Sequence, residues 1–178
     1  MFRSEQCPIG LEYLLNLFRS LNPKVYMETG CAQLGTILKF KENITDGLCI
    51  GVDAREYPTW SAVDSKSKDS GLRLSNRGLQ PKRVVSWLTR ILKGQQIDFL
   101  FIDGDHSIEG VKSDYENFSP FVRSGGIVAF HDYDPLAVFQ NKTDGQGAAW
   151  MCEDLKKEGY QINVVPNSSI GTFYVVKK

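Results

Sequence analysis

Carboxylates and imidazoles recur in this sequence at one kind of place, just past short apolar runs. Glu28-Thr29-Gly30 closes the first such run, Asp53 the second and Ser75-Asn76 a weaker third. Asp103-Gly104-Asp105-His106 and His131-Asp132-Tyr133-Asp134 close the next two. Carboxylates accept hydrogen bonds from a diol or hold a cation, and an imidazole with a pKa near ~6.5 exchanges a proton at neutral pH. Taken singly, each acid is more often a helix cap or turn residue. Asp105 reads as the cap of a helix beginning near Ser107, and Glu109 as a partner of that helix's dipole. Four of the five ends nevertheless carry a carboxylate, and both histidines of the chain sit at the last two. The plain alternative for those histidines is a loop hydrogen bond for His106 and packing beside a sheet for His131.

The elements that must position these groups alternate between helical and extended periodicity. Residues 9–21 repeat apolar side chains at helical spacing and stop before Asn22-Pro23. Extended runs are expected at Val25–Glu28, Leu48–Asp53, Leu72–Asn76 and Ile97–Asp103, then at Ile127–Phe130, Ile162–Val165 and Thr172–Val176. Helices are expected at Leu34–Glu42, Trp60–Lys68, Pro81–Lys93, Ser107–Val122 and Gly147–Glu158, with Ser124-Gly125-Gly126 as a turn. This order predicts an α/β fold: a Rossmann-like, doubly wound, mainly parallel sheet with helices on both faces and an antiparallel C-terminal edge. The 178 residues suit one domain, an N-terminal helix over 1–23 and an α/β core over 24–178. In such sheets ligands bind outside the carboxyl ends of the strands, where the polar groups gather.

The 21 basic and 21 acidic residues cancel, which gives no global attraction to nucleic acid or membrane and favours a small-molecule partner. A basic first half, with Lys39, Lys41, Lys66, Lys68, Arg73, Arg77, Lys82 and Arg83, reads as solvated faces. Cys7, Cys31, Cys49 and Cys152 show no zinc or redox spacing, so reduced thiols are expected. With no leader-like or membrane-spanning segment the expected location is the cytoplasm. Leu11, Leu14, Leu15, Phe18 and Leu21 of the first helix suit either the chain's own sheet or a second copy, leaving a homo-oligomer open.

Glu28-Thr29-Gly30 with Gly35 makes a short glycine loop where a cofactor can approach the backbone, but not the G-x-G-x-x-G of a nicotinamide or flavin site. Asp53 stands where a carboxylate can accept from a ribose diol. The stretch from Ile97 to Asp132 adds I-D-G-D-H-S followed by G-G-I-V-A-F-H-D. This stretch resembles the class I S-adenosylmethionine-dependent methyltransferases grouped with cephalosporin hydroxylase-like and macrolide-sugar O-methyltransferases. The general likeness runs from about Val25 onward, and the sharp match covers the Ile97–Asp132 third.

The resemblance implies that Glu28, Gly30 and Gly35 line the methionine part of S-adenosylmethionine and that Asp53 holds its ribose. Ser75 or Asn76 would lie near adenine. It further implies an acid at Asp103 and a pair at 131–132 holding magnesium or another divalent cation, with His106 as the base. The chain departs from the family at that pair, which reads His131-Asp132 where metal-dependent members carry two acids. The implied activity is O-methylation of a small hydroxylated acceptor, a sugar or natural product. Alternatives are a donor-binding protein without catalysis and a nucleic-acid methyltransferase, against which the balanced charge speaks.

Overall fold

The computed structural model describes residues 6–55, 57–58, 60–61, 63, 71–76, 81–137, 146–166 and 171–178. Helix α1 (Pro8–Ser20) leads to β1 (Val25–Thr29), α2 (Gly35–Lys41), β2 (Leu48–Val52) and β3 (Leu72–Ser75). Then come α3 (Pro81–Leu92), β4 (Ile97–Ile102), α4 (Ile108–Phe118), a 3-10 turn (Ser119–Phe121) and β5 (Val122–Phe130). The chain closes with α5 (Gln146–Lys157), β6 (Asn163–Val164) and β7 (Phe173–Val176).

The seven strands form one sheet in the order β3-β2-β1-β4-β5-β7-β6. Pairings from β3 through β5 are parallel, while β7 runs antiparallel to both β5 and β6. The antiparallel C-terminal edge and the helices on both faces match the expectation. Every residue of β1 and β4 is buried, as strands covered on both faces require.

Alternation along these strands sends successive side chains to opposite layers. Tyr26 and Phe99 meet Phe18 of α1 and Phe40 of α2, with the Tyr26 and Phe40 rings stacked at 4.2 Å. Met27 and Leu100 face the other way, into a layer with Val84 and Leu88 of α3, Val111 of α4 and Leu155 of α5. Leu14, Leu15 and Phe18 are therefore buried on the chain's own sheet, with Leu11 and Leu21 partly buried beside them.

The amino ends of the central strands are tied by Asp98. Its Oδ2 accepts from the backbone N–H groups of Lys24 (2.7 Å) and Val25 (2.8 Å), and its Oδ1 accepts from Nε of Arg123 at 2.6 Å.

Boundaries differ from expectation where local chemistry overrides periodicity. The helix expected to reach Val122 ends at Phe118, because Pro120 turns the chain into the 3-10 turn. Ser124-Gly125-Gly126, expected as a turn before the strand, lies within β5 as an irregularity: Ile97 pairs with Val122 but Phe99 pairs with Ile127. The extra residues are held by β7, through Gly125 N–H to the Lys177 carbonyl and Lys177 N–H to the Gly126 carbonyl, each 2.8 Å.

Of the helix expected over Trp60–Lys68, residues 64–68 lie outside the described residues, as does Arg77 of the basic first half; Trp60, Ser61 and Val63 are helical. All four cysteines are free thiols. No helix among the described residues is long and apolar enough to cross a membrane.

Candidate active site

Strand order reverses direction between β1 and β4, since β1 continues to β2 on one side while β4 continues to β5 on the other. Loops leaving the carboxyl ends diverge at such a point and open a crevice. A cavity of about 720 Å³ lies there. Its lining brings together Gly30, Asp53, Asp103, His106, His131 and Asp132, all expected from sequence, with Gln6, Thr29, Asp105 and Asp114.

The β1 tip is shaped by backbone conformation. Gly30 has φ +76°, and a Cβ there would fall 1.9 Å from the carbonyl oxygen of Asp103, so only glycine lets the β1 and β4 tips meet. Ala32 (φ +34°) and Leu34 (φ +69°) also take positive φ, and Leu34 rather than Gly35 makes the turn into α2. Gly35 is the first helical residue and does not line the cavity.

Asp53 Oδ2 accepts from the Ala32 N–H at 2.9 Å and Oδ1 from the Arg55 N–H at 3.0 Å, which fixes its carboxylate at one end of the cavity.

Glu28 is placed differently from the expectation that it lines the cavity. Its side chain is buried beneath the loop, where Oε2 accepts from the Tyr26 hydroxyl at 2.7 Å. Burial pushes its carboxyl well above the usual range, against the opposing effect of that hydrogen bond. Ser75 is buried and Asn76 exposed at the β3 tip, and neither lines this cavity.

At the other end, β4 and β5 are neighbours, so Asp103 and the His131-Asp132 pair converge. His131 Nδ1 lies 2.9 Å from Asp103 Oδ1 and 3.3 Å from Asp132 Oδ1. His106 Nε2 lies 2.9 Å from Asp132 Oδ2. These approaches are ion-pair distances without the angles of directed hydrogen bonds: both His131 nitrogens and Asp132 Oδ2 are buried with no hydrogen-bond partner. Their separations suffice for strong mutual attraction, because the Coulombic interaction depends on distance.

Burial works to lower the His131 pKa, but the Asp103 and Asp132 carboxylates outweigh it and hold it up at about 10. Burial works to raise Asp132, yet the two imidazoles keep it far below the carboxylate range. Asp103 is raised by burial despite His131, and His106 is raised chiefly by Asp132. Asp103 Oδ2 also accepts from the Gln6 side-chain amide at 2.8 Å. Asp132 has φ +55°, a left-handed conformation that aspartate tolerates better than most residues.

Asp103, His131 and Asp132 each offer a ligand atom within 4.8 Å of one another. Two carboxylates and one imidazole suit a divalent cation.

Asp105 is not the cap of α4. Ser107 is the N-cap, accepting from the Gly110 N–H at 3.0 Å, while Asp105 Oδ1 accepts from the Ser107 N–H at 2.9 Å. Tyr133 packs edge-on against Phe173 and Asp134 accepts from the Leu136 N–H, so these two serve packing and a turn.

Among the lining residues that had no role in the sequence reading are Gln6 and Asp114. Gln6 precedes α1 and carries no motif. Asp114 follows Ser107 and Gly110 at helical spacing, which puts the three on one face of α4; that polar stripe was the available signal. Burial pushes the Asp114 carboxyl up to about 6, with the nearby Thr29 hydroxyl opposing. The Thr29 hydroxyl is close enough to act electrostatically but lacks the geometry of a hydrogen bond.

A methyltransferase-domain family model matches residues 31–133, more than half of the chain and nearly the whole cavity wall. The chain belongs to this methyltransferase-domain family. An uncharacterized protein of Acanthamoeba polyphaga mimivirus is 28% identical over 129 residues, which cover 69% of this chain and 57% of that protein. The chain thus spans little more than half the length of that relative.

Among solved structures, the O-methyltransferase of Bacillus cereus in complex with S-adenosylhomocysteine is similar with a TM-score of 0.72 at 16% identity, over 96% of this chain and 82% of that one. TomG of Streptomyces achromogenes, in complex with S-adenosylmethionine, gives 0.68 at 14%, over 98% and 82%. MycE of the mycinamycin pathway, in complex with Mg, S-adenosylhomocysteine and mycinamycin VI, gives 0.62 at 15%, over 93% and 48%. The likeness to these structures is one of fold.

Proposed function

We propose that this methyltransferase domain transfers a methyl group from S-adenosylmethionine to a hydroxyl of a small acceptor, a sugar or natural product, with help from a divalent cation. The observation that carries the reading is the continuous run His106–Asp132–His131–Asp103, joined by approaches of 2.9–3.3 Å on the cavity wall opposite Asp53. The metal- and donor-bound fold relatives support the same assignment.

A sulfonium donor supplies an already activated methyl group, so no protein nucleophile is required. The residues must align the partners and accept one proton. Asp53, held by two backbone N–H groups, keeps oxygen lone pairs free for a ribose diol. Gly30 lets the donor approach the β1 backbone closely.

His106 is 44% exposed on its side chain and borders the cavity, so an acceptor can reach its imidazole, while Asp132 stabilises the imidazolium formed when His106 takes the acceptor's proton. Asp103, His131 and Asp132 fit a divalent cation by their donor atoms, with the cation taking the place of the proton that the two carboxylates hold on His131. A cation there would lower the pKa of an acceptor hydroxyl and fix its direction. Gln6 holds the second Asp103 oxygen and thereby orients the first.

Isothermal titration with S-adenosylmethionine and S-adenosylhomocysteine tests the donor site, and absence of binding by both would refute the proposal. A panel of hydroxylated sugars assayed with magnesium or with EDTA then tests the rest. Donor binding with no turnover under either condition favours the alternative of a binding protein without catalysis. His106→Ala is expected to lower turnover with donor affinity retained.

A further inference from the structure

A sulfonium has three arms, and the reading above uses two of them. With the ribose at Asp53 and the methyl directed at His106 and Asp132, the third arm, which carries an α-ammonium and an α-carboxylate, needs a wall of its own. Besides Ala32, Gln33, Ala54, Arg55 and Tyr57 around Asp53, part of the lining comes from the β4 tip and α4: Gly104, Gly110, Ser113 and Asp114.

Glycine at 104 leaves this wall open. A Cβ there would lie 3.0 Å from Asp114 Oδ2, 3.5 Å from Thr29 Oγ1 and 3.7 Å from the Gly30 backbone nitrogen. One uncovered spot therefore faces a carboxylate, a buried hydroxyl and the β1 loop together. Among the described residues, the groups acting on Asp114 are the Thr29 hydroxyl and the Asp105 carboxylate, neither of them a cation. A half-buried carboxylate on a cavity wall, with no cationic partner among the described residues, favours a cation brought in by a ligand.

We propose that Asp114 binds the α-ammonium of the donor's amino-acid arm and so sets the position of the sulfonium between Asp53 and His106. This assignment rests on the donor reading above. Thr29 contributes its hydroxyl to the same subsite, and Gly104 keeps the approach to the carboxylate open, since a Cβ there would crowd Asp114 Oδ2 at 3.0 Å. Asp114 is a binding residue for the donor and takes no part in proton transfer.

The test is isothermal titration of the protein and of Asp114→Asn with three probes. These are S-adenosylhomocysteine, its analogue lacking the α-amino group, and 5′-methylthioadenosine, which lacks the whole arm. The protein is expected to bind S-adenosylhomocysteine at least ten times more tightly than the des-amino analogue. In Asp114→Asn that preference should fall below about twofold, with 5′-methylthioadenosine affinity unchanged.

Asp114→Ala, which needs no amide to be accommodated, should show the same collapse and guards against a misfolded first variant. Retention of the amino-group preference in both variants overturns the assignment, as does equal weakening of all three probes. Failure of the unaltered protein to bind any probe overturns the donor reading itself.

Discussion

Asp114→Asn should stabilise the ligand-free protein, and the gain should depend on pH. The Asp114 carboxyl moves from 3.8 to about 6 on folding, chiefly because burial penalises its charge. A raised carboxyl pKa favours the protonated folded form, so its contribution to stability is complete below pH ~4 and is lost as pH climbs through ~6. Roughly two pKa units at ~1.4 kcal/mol each set a ceiling of about 3 kcal/mol on that loss. Water in the open cavity trims it, leaving about 1–3 kcal/mol.

Asparagine mimics the neutral form at every pH. The variant should therefore match the parent at pH 4 and exceed it at pH 7.5, by roughly 2–4 °C in melting temperature per kcal/mol for a chain of this size. Thermal melts across this range, taken as differences, cancel the other titrating groups. A difference that stays flat with pH, or that grows toward acid, would refute the reasoning. Saturating S-adenosylhomocysteine should reverse the order at pH 7.5, since only the parent offers a charge to the ammonium.

Asp98→Ala removes the shared acceptor of two backbone N–H groups and Arg123. The loss should be about 3–5 kcal/mol by urea denaturation, and a change under ~1 kcal/mol would count against its role as a tie between strands. Gly30→Ala places a side chain at φ +76°, costing about 1–2 kcal/mol, and forces the β1 and β4 tips apart. Titration should show S-adenosylhomocysteine binding lost while circular dichroism keeps its helix and strand content; unchanged affinity would contradict the close approach.

The parallel core was legible because burial on both faces leaves a plain mark. Ile97–Ile102 reads as an apolar run with a single acid, Asp98, and that acid is tied at the strand's amino end. The strand-end acids were legible too, since topology alone brings the β4 and β5 tips side by side. Glycines misled in two places. Gly35 drew attention that belonged to Leu34, whose left-handed backbone no local preference announces. Ser124-Gly125-Gly126 looked like a turn because the stabilising partner of that irregular stretch is β7, fifty residues later. Asp114 escaped because a helical acid is ordinarily fully exposed, and only the packing of α4 against the β1 and β4 tips half-buries this one on the cavity wall. Glu28 was assigned by its place in a motif, whereas the Tyr26 hydroxyl two residues earlier holds its side chain in the buried interior.

The position of β7 carries a consequence for how the molecule is made. Although last of the seven strands in sequence, this strand is wedged between β5 and β6 and supplies the hydrogen bonds along the outer flank of the strand that leads into His131. During synthesis the Asp53 side of the crevice can form well before that flank is covered. Until β7 emerges, β5 presents a bare apolar ribbon able to pair with a neighbouring nascent chain. Ribosome-bound lengths that stop short of Phe173 should therefore be the aggregation-prone and chaperone-dependent ones.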